Sequence, residues 1–122
     1  MENKFSPKIK NEIDVILKEI SFWKKFFSIN FDFYFDGWAI FLKEKSLYPR
    51  SIVIFKSYTK NSYSIKSFEV HLNYSKKEEL KEIFSVENIR NQNLLFKELK
   101  EIIYGKDILN SASKIYKNRF LK

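Results

Sequence analysis

The side chains that could carry acid–base chemistry are few, and most lie in the middle of the chain. His71 is the only histidine, and histidine is the side chain whose ordinary pKa is closest to neutral pH. It lies in an alternating segment, on the same face as Glu69 and Asn73. If the neighbouring strand presents its polar residues on that face, a small acid–base site would form from His71 with these side chains: Glu69, Asn73, Asp32, Tyr34, Asp36 and Tyr63.

The same polar residues are typical of a solvated sheet face, and this second interpretation is strongly favoured. One face of an antiparallel sheet commonly stays in water while the other packs against helices. Four serines follow in the same region, Ser57, Ser62, Ser64 and Ser67, but none has a recognisable nucleophile elbow or an adjacent base. The sequence therefore predicts a protein that is not an enzyme and has no catalytic residue.

The composition lacks most of the residues that bind cofactors and metals. Phosphate-binding loops need clustered glycines, whereas Gly37 and Gly105 are the only two in the chain and lie far apart. Zinc and redox sites need several thiolates or imidazoles, and the chain has no cysteine. We expect neither a cofactor nor a bound metal.

The net charge of +8 has two explanations. Lys, Ile, Phe, Asn and Tyr, all encoded by A/T-rich codons, make up 65 of the 122 residues, so genome composition alone can produce the excess of lysine. Only three arginines are present, although arginine is the residue that binds phosphate in a bidentate manner. The potential nevertheless favours an acidic or mixed-charge partner, and a nucleic-acid-binding module using the lysine-rich surface remains the alternative.

Helical periodicity is clearest at the start of the chain. Apolar residues recur every three or four positions after Pro7 and form one stripe. Ser6 supplies an N-terminal cap and Pro7 a suitable first helical residue. This predicts a helix over residues 7–27.

Alternating residues then predict three strands. The first covers residues 30–42 with a bulge at Gly37, the second residues 51–58 and the third residues 63–74, with a turn at residues 60–62. The phase of the pattern places Phe33, Ile54 and Val70 in the core, and it turns Phe68 inward on the third strand.

Helices are predicted again towards the end. Ser75 and Glu78 have the spacing of a capping box and predict a short helix. A further helix ends at Gly105, and Asp107 caps a last one. The predicted fold is a single α+β domain over residues 1–122, with an N-terminal helix, a three-stranded antiparallel meander and C-terminal helices packed on one sheet face.

Large aromatic residues near the predicted hairpin are the strongest candidates for contact with a partner. Tyrosines supply stiff contact area, and lysines at the rim of an interface steer association. The predicted partner-binding residues are Tyr34, Tyr58, Tyr63, Lys60 and Lys66.

In size, A/T-rich composition and lack of cysteine, the chain resembles the small stand-alone immunity proteins that bacteria encode beside toxins of contact-dependent inhibition or bacteriocin systems. These proteins share no common motif, so the resemblance assigns no residue. It implies a non-catalytic inhibitor that occludes a cognate toxin. We also expect a cytoplasmic protein without membrane contact, because the longest apolar run, residues 38–42, is far shorter than the about 20 residues of a membrane span.

Overall fold

A computed structural model describes residues 6–46, 49–72 and 78–107, and the side chains of all of these except 71, 72 and 78. The elements in chain order are α1 (Pro7–Ile20), a short 3₁₀ helix (Ser21–Trp23), β1 (Phe27–Tyr34), β2 (Gly37–Glu44), β3 (Arg50–Ser57), β4 (Ser62–Leu72), β5 (Glu78–Ile89) and α2 (Gln92–Ile103). The five strands form one antiparallel sheet in the order β1-β2-β3-β4-β5. The α+β class is confirmed, but the predicted three-stranded meander is wrong.

The first helix begins where the sequence predicts and ends earlier. Ser6 caps it, since its Oγ accepts a hydrogen bond from the Ile9 amide at 3.3 Å. The chain leaves the α-helix at Ile20 instead of continuing to Phe27. Phe27 is buried as the first residue of β1. The apolar residues continue at helical spacing as far as Phe27, but pairing with β2 determines the structure there.

The predicted long first strand is a hairpin. Tyr34 pairs with Gly37, which leaves a two-residue turn at Phe35 and Asp36, and the chain reverses instead of bulging. Gly37 is needed for close approach, because a Cβ at this position would lie 1.7 Å from the Lys56 carbonyl oxygen. The glycine therefore marks the point where two hairpins pack against each other.

The second and third predicted strands lie at β3 and β4, but the predicted phase of β4 is wrong. Residues at odd positions of β4 face the helices, because Ile65 is paired with the buried Ile54. Phe68 and Val70 consequently lie on the opposite face and are half-buried. Phe33 faces the helices, yet it is also only half-buried, since it belongs to the edge strand β1.

The predicted helix after Ser75 is also wrong. Residues 73–77 lie outside the described part of the chain, and Glu78 begins β5, which pairs with β4. Phe84, Val86 and Ile89 of β5 turn towards the core. The backbone hydrogen bonds between β5 and β4 extend along the whole strand, whereas the capping box stabilises only the first turn of a helix. The strand is therefore the more stable arrangement.

The last described helix, α2, ends as predicted near Gly105, whose φ of 111° suits glycine. The further helix predicted after Asp107 lies outside the described residues. Asp107 itself is fully buried, and of the predicted C-terminal helices the described chain contains α2 alone.

The core lies between one sheet face and the two helices. Its cluster joins Ile9, Ile13, Ile16 and Ile20 of α1 and Leu95, Leu99, Ile102 and Ile103 of α2 to inward residues of all five strands. No helix within the described residues is long and apolar enough to cross a membrane.

Arg50 closes one end of this core. It is 1% exposed, and its guanidinium donates to the Ile102 and Ile103 carbonyl oxygens at 2.8 and 2.9 Å. It also forms an ion pair with Asp107 at 2.7 Å and one with Glu44 at 3.4 Å. A buried cation thereby binds the C-terminal carbonyls of α2, where the helix dipole is negative.

Candidate protein interface

The sheet has a second face, turned away from the helices, which we call the open face. Its register places the following apolar side chains together on this face: Tyr34, Ala39, Phe41, Val53, Phe55, Phe68, Val70 and Leu80. None of them belongs to the core cluster, and both described helices pack on the other side. In the described part of the chain, this face is therefore an apolar surface without a helical cover.

The centre of the open face is a row that crosses neighbouring strands. Phe41 pairs with Val53, which pairs with Lys66. Val53 is buried by its neighbours, whereas Phe41 is 39% exposed. An exposed aromatic side chain beside buried aliphatic residues is typical of anchor positions of protein interfaces.

Tyr34 borders this centre and is held in place. Its hydroxyl donates to the Lys56 carbonyl oxygen at 2.6 Å, and its ring meets the Phe55 ring edge to face at a centroid distance of 6.3 Å. Partial burial, with a smaller contribution from the nearby Asp36 carboxylate, raises the pKa of Tyr34. The side chain presents its ring in a fixed orientation and stays neutral at physiological pH.

Charged residues of both signs surround the apolar centre. Lys66 forms an ion pair with Glu82 at 3.4 Å across the β4–β5 pair. Lys43 and Asp32 are exposed on the same face. The rim therefore carries a mixed charge that a partner of mixed charge would complement.

The predicted partner-binding residues do not lie on one surface. Tyr34 and Lys66 are on the open face, while Tyr58 and Lys60 belong to the turn between β3 and β4. Tyr63 faces the helices and is 4% exposed, so almost none of its side chain is accessible to a partner.

Tyr63 belongs to a polar cluster beneath the helices. The Glu12 carboxylate accepts hydrogen bonds from the Tyr63 hydroxyl at 2.7 Å and the Lys56 ammonium at 3.1 Å. Its other oxygen accepts one from the Trp38 indole at 3.3 Å. Burial raises the pKa of Tyr63 strongly, and the Glu12 carboxylate adds to the increase.

A cleft of about 790 Å³ opens above this cluster. It lies between the N-terminal ends of the two helices and the two hairpin turns, and Lys8, Glu12, Phe35, Lys56, Tyr58 and Gln92 are among its lining residues. The Lys56 ammonium is engaged with Glu12 and with the Asn61 side-chain oxygen at 3.4 Å. The charged groups at the floor thus bind one another, which is the arrangement of a structural ion pair.

The residues of the possible acid–base site are not brought together. Glu69 and Tyr63 face the helices, whereas Asp32 and Tyr34 lie on the open face. The His71 side chain and Asn73 lie outside the described part.

Asp36, the remaining carboxylate of that set, holds the two hairpin turns together. It accepts hydrogen bonds from the Ser57 hydroxyl at 2.6 Å and the Thr59 hydroxyl at 2.5 Å. These two bonds are the main reason that the pKa of Asp36 is lowered. Among the described residues, no group of three or more His, Cys, Asp or Glu side chains could hold a metal ion.

Sequence reasoning missed Phe41, Phe55 and Phe68 as interface candidates. One signal was available: residues 38–42 are apolar at consecutive positions, which means that both faces of that strand carry apolar side chains. The assignment of Phe68 needed the register between β3 and β4, because a shift of one residue exchanges the two faces.

Comparisons of this chain with protein-family models, curated proteins and solved structures find no match.

Proposed function

We propose that this protein is a non-catalytic binding protein that occludes another protein with its open face, and that it acts as an immunity protein against a cognate toxin. The observation that carries the proposal is the apolar centre of the open face, where the exposed Phe41 lies beside its cross-strand partner Val53. Contiguous exposed apolar surface with a polar rim is typical of a protein-interaction site.

The rigidity of the scaffold supports this proposal. Arg50 and Lys56 are both buried and paired with carboxylates that come from distant parts of the chain. Such pairs favour a single arrangement of the elements around them. A binding surface built on a fixed five-stranded sheet loses little conformational entropy on association.

The charge distribution favours a protein partner over nucleic acid. On the open face Lys66 is paired with Glu82, and Asp32 adds a further negative charge. These carboxylates would repel a phosphate backbone, whereas a protein partner of mixed charge would complement the rim, and the net charge of +8 favours acidic groups elsewhere on its surface.

The experiment that tests the proposal starts from the host that carries the gene. The full chain is immobilised, the captured protein is identified and purified, and its Kd is measured at about 150 mM salt. Phe41→Asp should weaken binding by about 100-fold, because it places a charge at the apolar centre. Phe22→Asp is the matched control, since Phe22 is 76% exposed in the helical layer, and it should leave the Kd within about 2-fold.

Growth measurements decide whether the partner is a toxin. Expression of the captured protein alone should stop growth, the parent chain should restore it, and Phe41→Asp should restore it poorly. Charge reversal at Lys66 should mainly slow association. Equal Kd values for the Phe41 and Phe22 variants, or nanomolar binding to DNA or RNA with a steep salt dependence, would contradict the proposal, and the second result would favour the nucleic-acid alternative.

A further inference from the structure

The outer edge of β1 offers backbone hydrogen-bonding groups to a partner. The Lys45 amide donates to the Phe26 carbonyl oxygen at 2.9 Å, and hydrogen-bonded pairs alternate along an antiparallel ladder. Residues at even positions of β1 therefore bond to β2. The amides and carbonyls of Phe27, Ile29 and Phe31 point outward, and no strand of the described chain pairs with that side.

The opposite edge of the sheet is protected and β1 is not. The edge strand β5 has register shifts opposite residues 63–65 and 67–68 of β4, and it carries these charged residues: Glu78, Glu79, Lys81, Glu82 and Glu87. Bulges and charges are the usual means of preventing pairing at an edge. β1 carries one charge, Asp32, in eight residues and pairs with β2 in an unbroken register.

A groove runs beside this free edge. It has a volume of about 680 Å³ and lies between the C-terminal end of α1 and the first half of β1. Leu17, Phe27 and Ile29 form its apolar part. An added strand would place every second side chain over this groove, because side chains alternate along a strand.

The lining of the groove also has a strongly positive end. Lys24, Lys25 and Lys45 all line it. The Lys45 ammonium donates to the Lys24 carbonyl oxygen at 3.0 Å, which holds the three lysines close to the start of β1. Asp32, at the other end, uses its carboxylate to accept the Phe33 amide at 2.9 Å. Asp32 thus occupies the outward amide of Phe33. The outward backbone groups that stay accessible lie at the start of β1, beside the lysines.

We propose that β1 binds an extended acidic segment of a partner protein, which adds as a sixth strand along Phe27 to Phe31. Its apolar side chains at alternate positions enter the groove beside Leu17, and acidic residues at the end of the segment that lies beside the start of β1 pair with Lys24 and Lys25. Backbone hydrogen bonds supply the affinity of such strand addition, and the side chains supply the specificity. The surface is separate from the open face, so this proposal and the proposed function can fail independently.

The probe for the test is a synthetic decapeptide with valine at alternate central positions and a pair of glutamates at each end, titrated into the full chain by calorimetry. The double variant Lys24→Glu/Lys25→Glu should weaken binding at least about 10-fold. Ile29→Pro removes an outward amide without removing a bond to β2, and it should weaken binding similarly while circular dichroism shows a folded sheet. Phe41→Ser, on the open face, is the control and should leave binding unchanged.

Four results would overturn the proposal. These are no binding of the glutamate peptide, equal binding of a valine–lysine peptide, equal loss of binding in Phe41→Ser, and a dimer in sedimentation that Ile29→Pro abolishes. The last result would assign the edge to a second copy of the chain.

Discussion

Glu12 connects α1 to three strands of the sheet at once. Its carboxylate accepts hydrogen bonds from Trp38 on β2, Lys56 on β3 and Tyr63 on β4. Charge-assisted hydrogen bonds of this kind are stronger than those between neutral groups, and removal of one partner leaves a buried polar group unsatisfied. Glu12 therefore adds polar contacts across the sheet to the packing of the α1 isoleucines in the core.

Tyr63→Phe should change the pH dependence of stability in alkaline solution. The folded state raises the pKa of Tyr63 above its unfolded value of 10.0. The unfolded chain therefore loses this proton first, and the parent loses stability as pH rises above about 10. The variant should lose about 1–2 kcal/mol at pH 7, because Glu12 loses one of its three hydrogen-bond donors. It should also show a shallower decline of stability above pH 10 in urea unfolding.

Trp38→Phe is the control for this prediction. It removes another donor to Glu12 but no titrating group, so it should cost stability at neutral pH and retain the parent's alkaline slope. If Tyr63→Phe declines as steeply as the parent above pH 10, the prediction is wrong.

At the scale of the elements, α2 is held at both ends by side chains that satisfy its backbone groups. At the N-terminus, the Asn91 side chain accepts the Leu94 amide at 2.9 Å. At the C-terminus, Arg50 of β3 binds the carbonyl oxygens of Ile102 and Ile103. One cap is local in sequence, whereas the other comes from a strand about 50 residues earlier.

Asn91→Ala should destabilise the protein by about 1 kcal/mol, because the Leu94 amide loses its acceptor. Asn91→Asp keeps a side-chain acceptor at the same position and should remain close to the parent. Chemical denaturation of the three proteins measures the difference. Equal losses in both variants would show that the cap hydrogen bond is not the cause.

At the scale of the whole molecule, the described residues form a sheet with one face covered by helices and one open face, and both faces carry apolar residues. The covered face holds the cluster built around Ile54 and Ile65, which are fully buried. Among the apolar side chains of the open face, only those of Ala39 and Val53 are buried. Burial in the core stabilises the fold, whereas no helix of the described residues covers the apolar residues of the open face.

Ile65→Ala and Val70→Ala should separate the two faces, because the two residues lie on the same strand with opposite orientation. The Ile65 variant should lose about 2–5 kcal/mol through cavity formation. The Val70 variant should lose no more than about 1 kcal/mol, since its side chain is only half-buried. A larger loss for Val70→Ala, measured by urea unfolding, would reverse the assignment of the faces.

Local patterns were sufficient for the elements whose signals are local. Ser6 with Pro7 predicts the start of α1, and Gly105 predicts the end of α2, because caps and stop residues act on the backbone within one turn. The α+β class follows from the change of period along the chain. The strand pattern also placed Tyr34 on an exposed sheet face, where the structure has it, whereas Tyr63, predicted on the same face, is buried.

Pairing between distant segments decided the rest. Residues 78–89 can satisfy a helical spacing, but they form β5 because β4 supplies hydrogen bonds along their length. Tyr63 and Phe68 exchanged their predicted faces because the register with β3 is set by Ile54 and by the buried Arg50. The alternation of apolar and polar residues indicates that the sheet has two different faces. Only the packing of α1 and α2 determines which face becomes the core and which remains open.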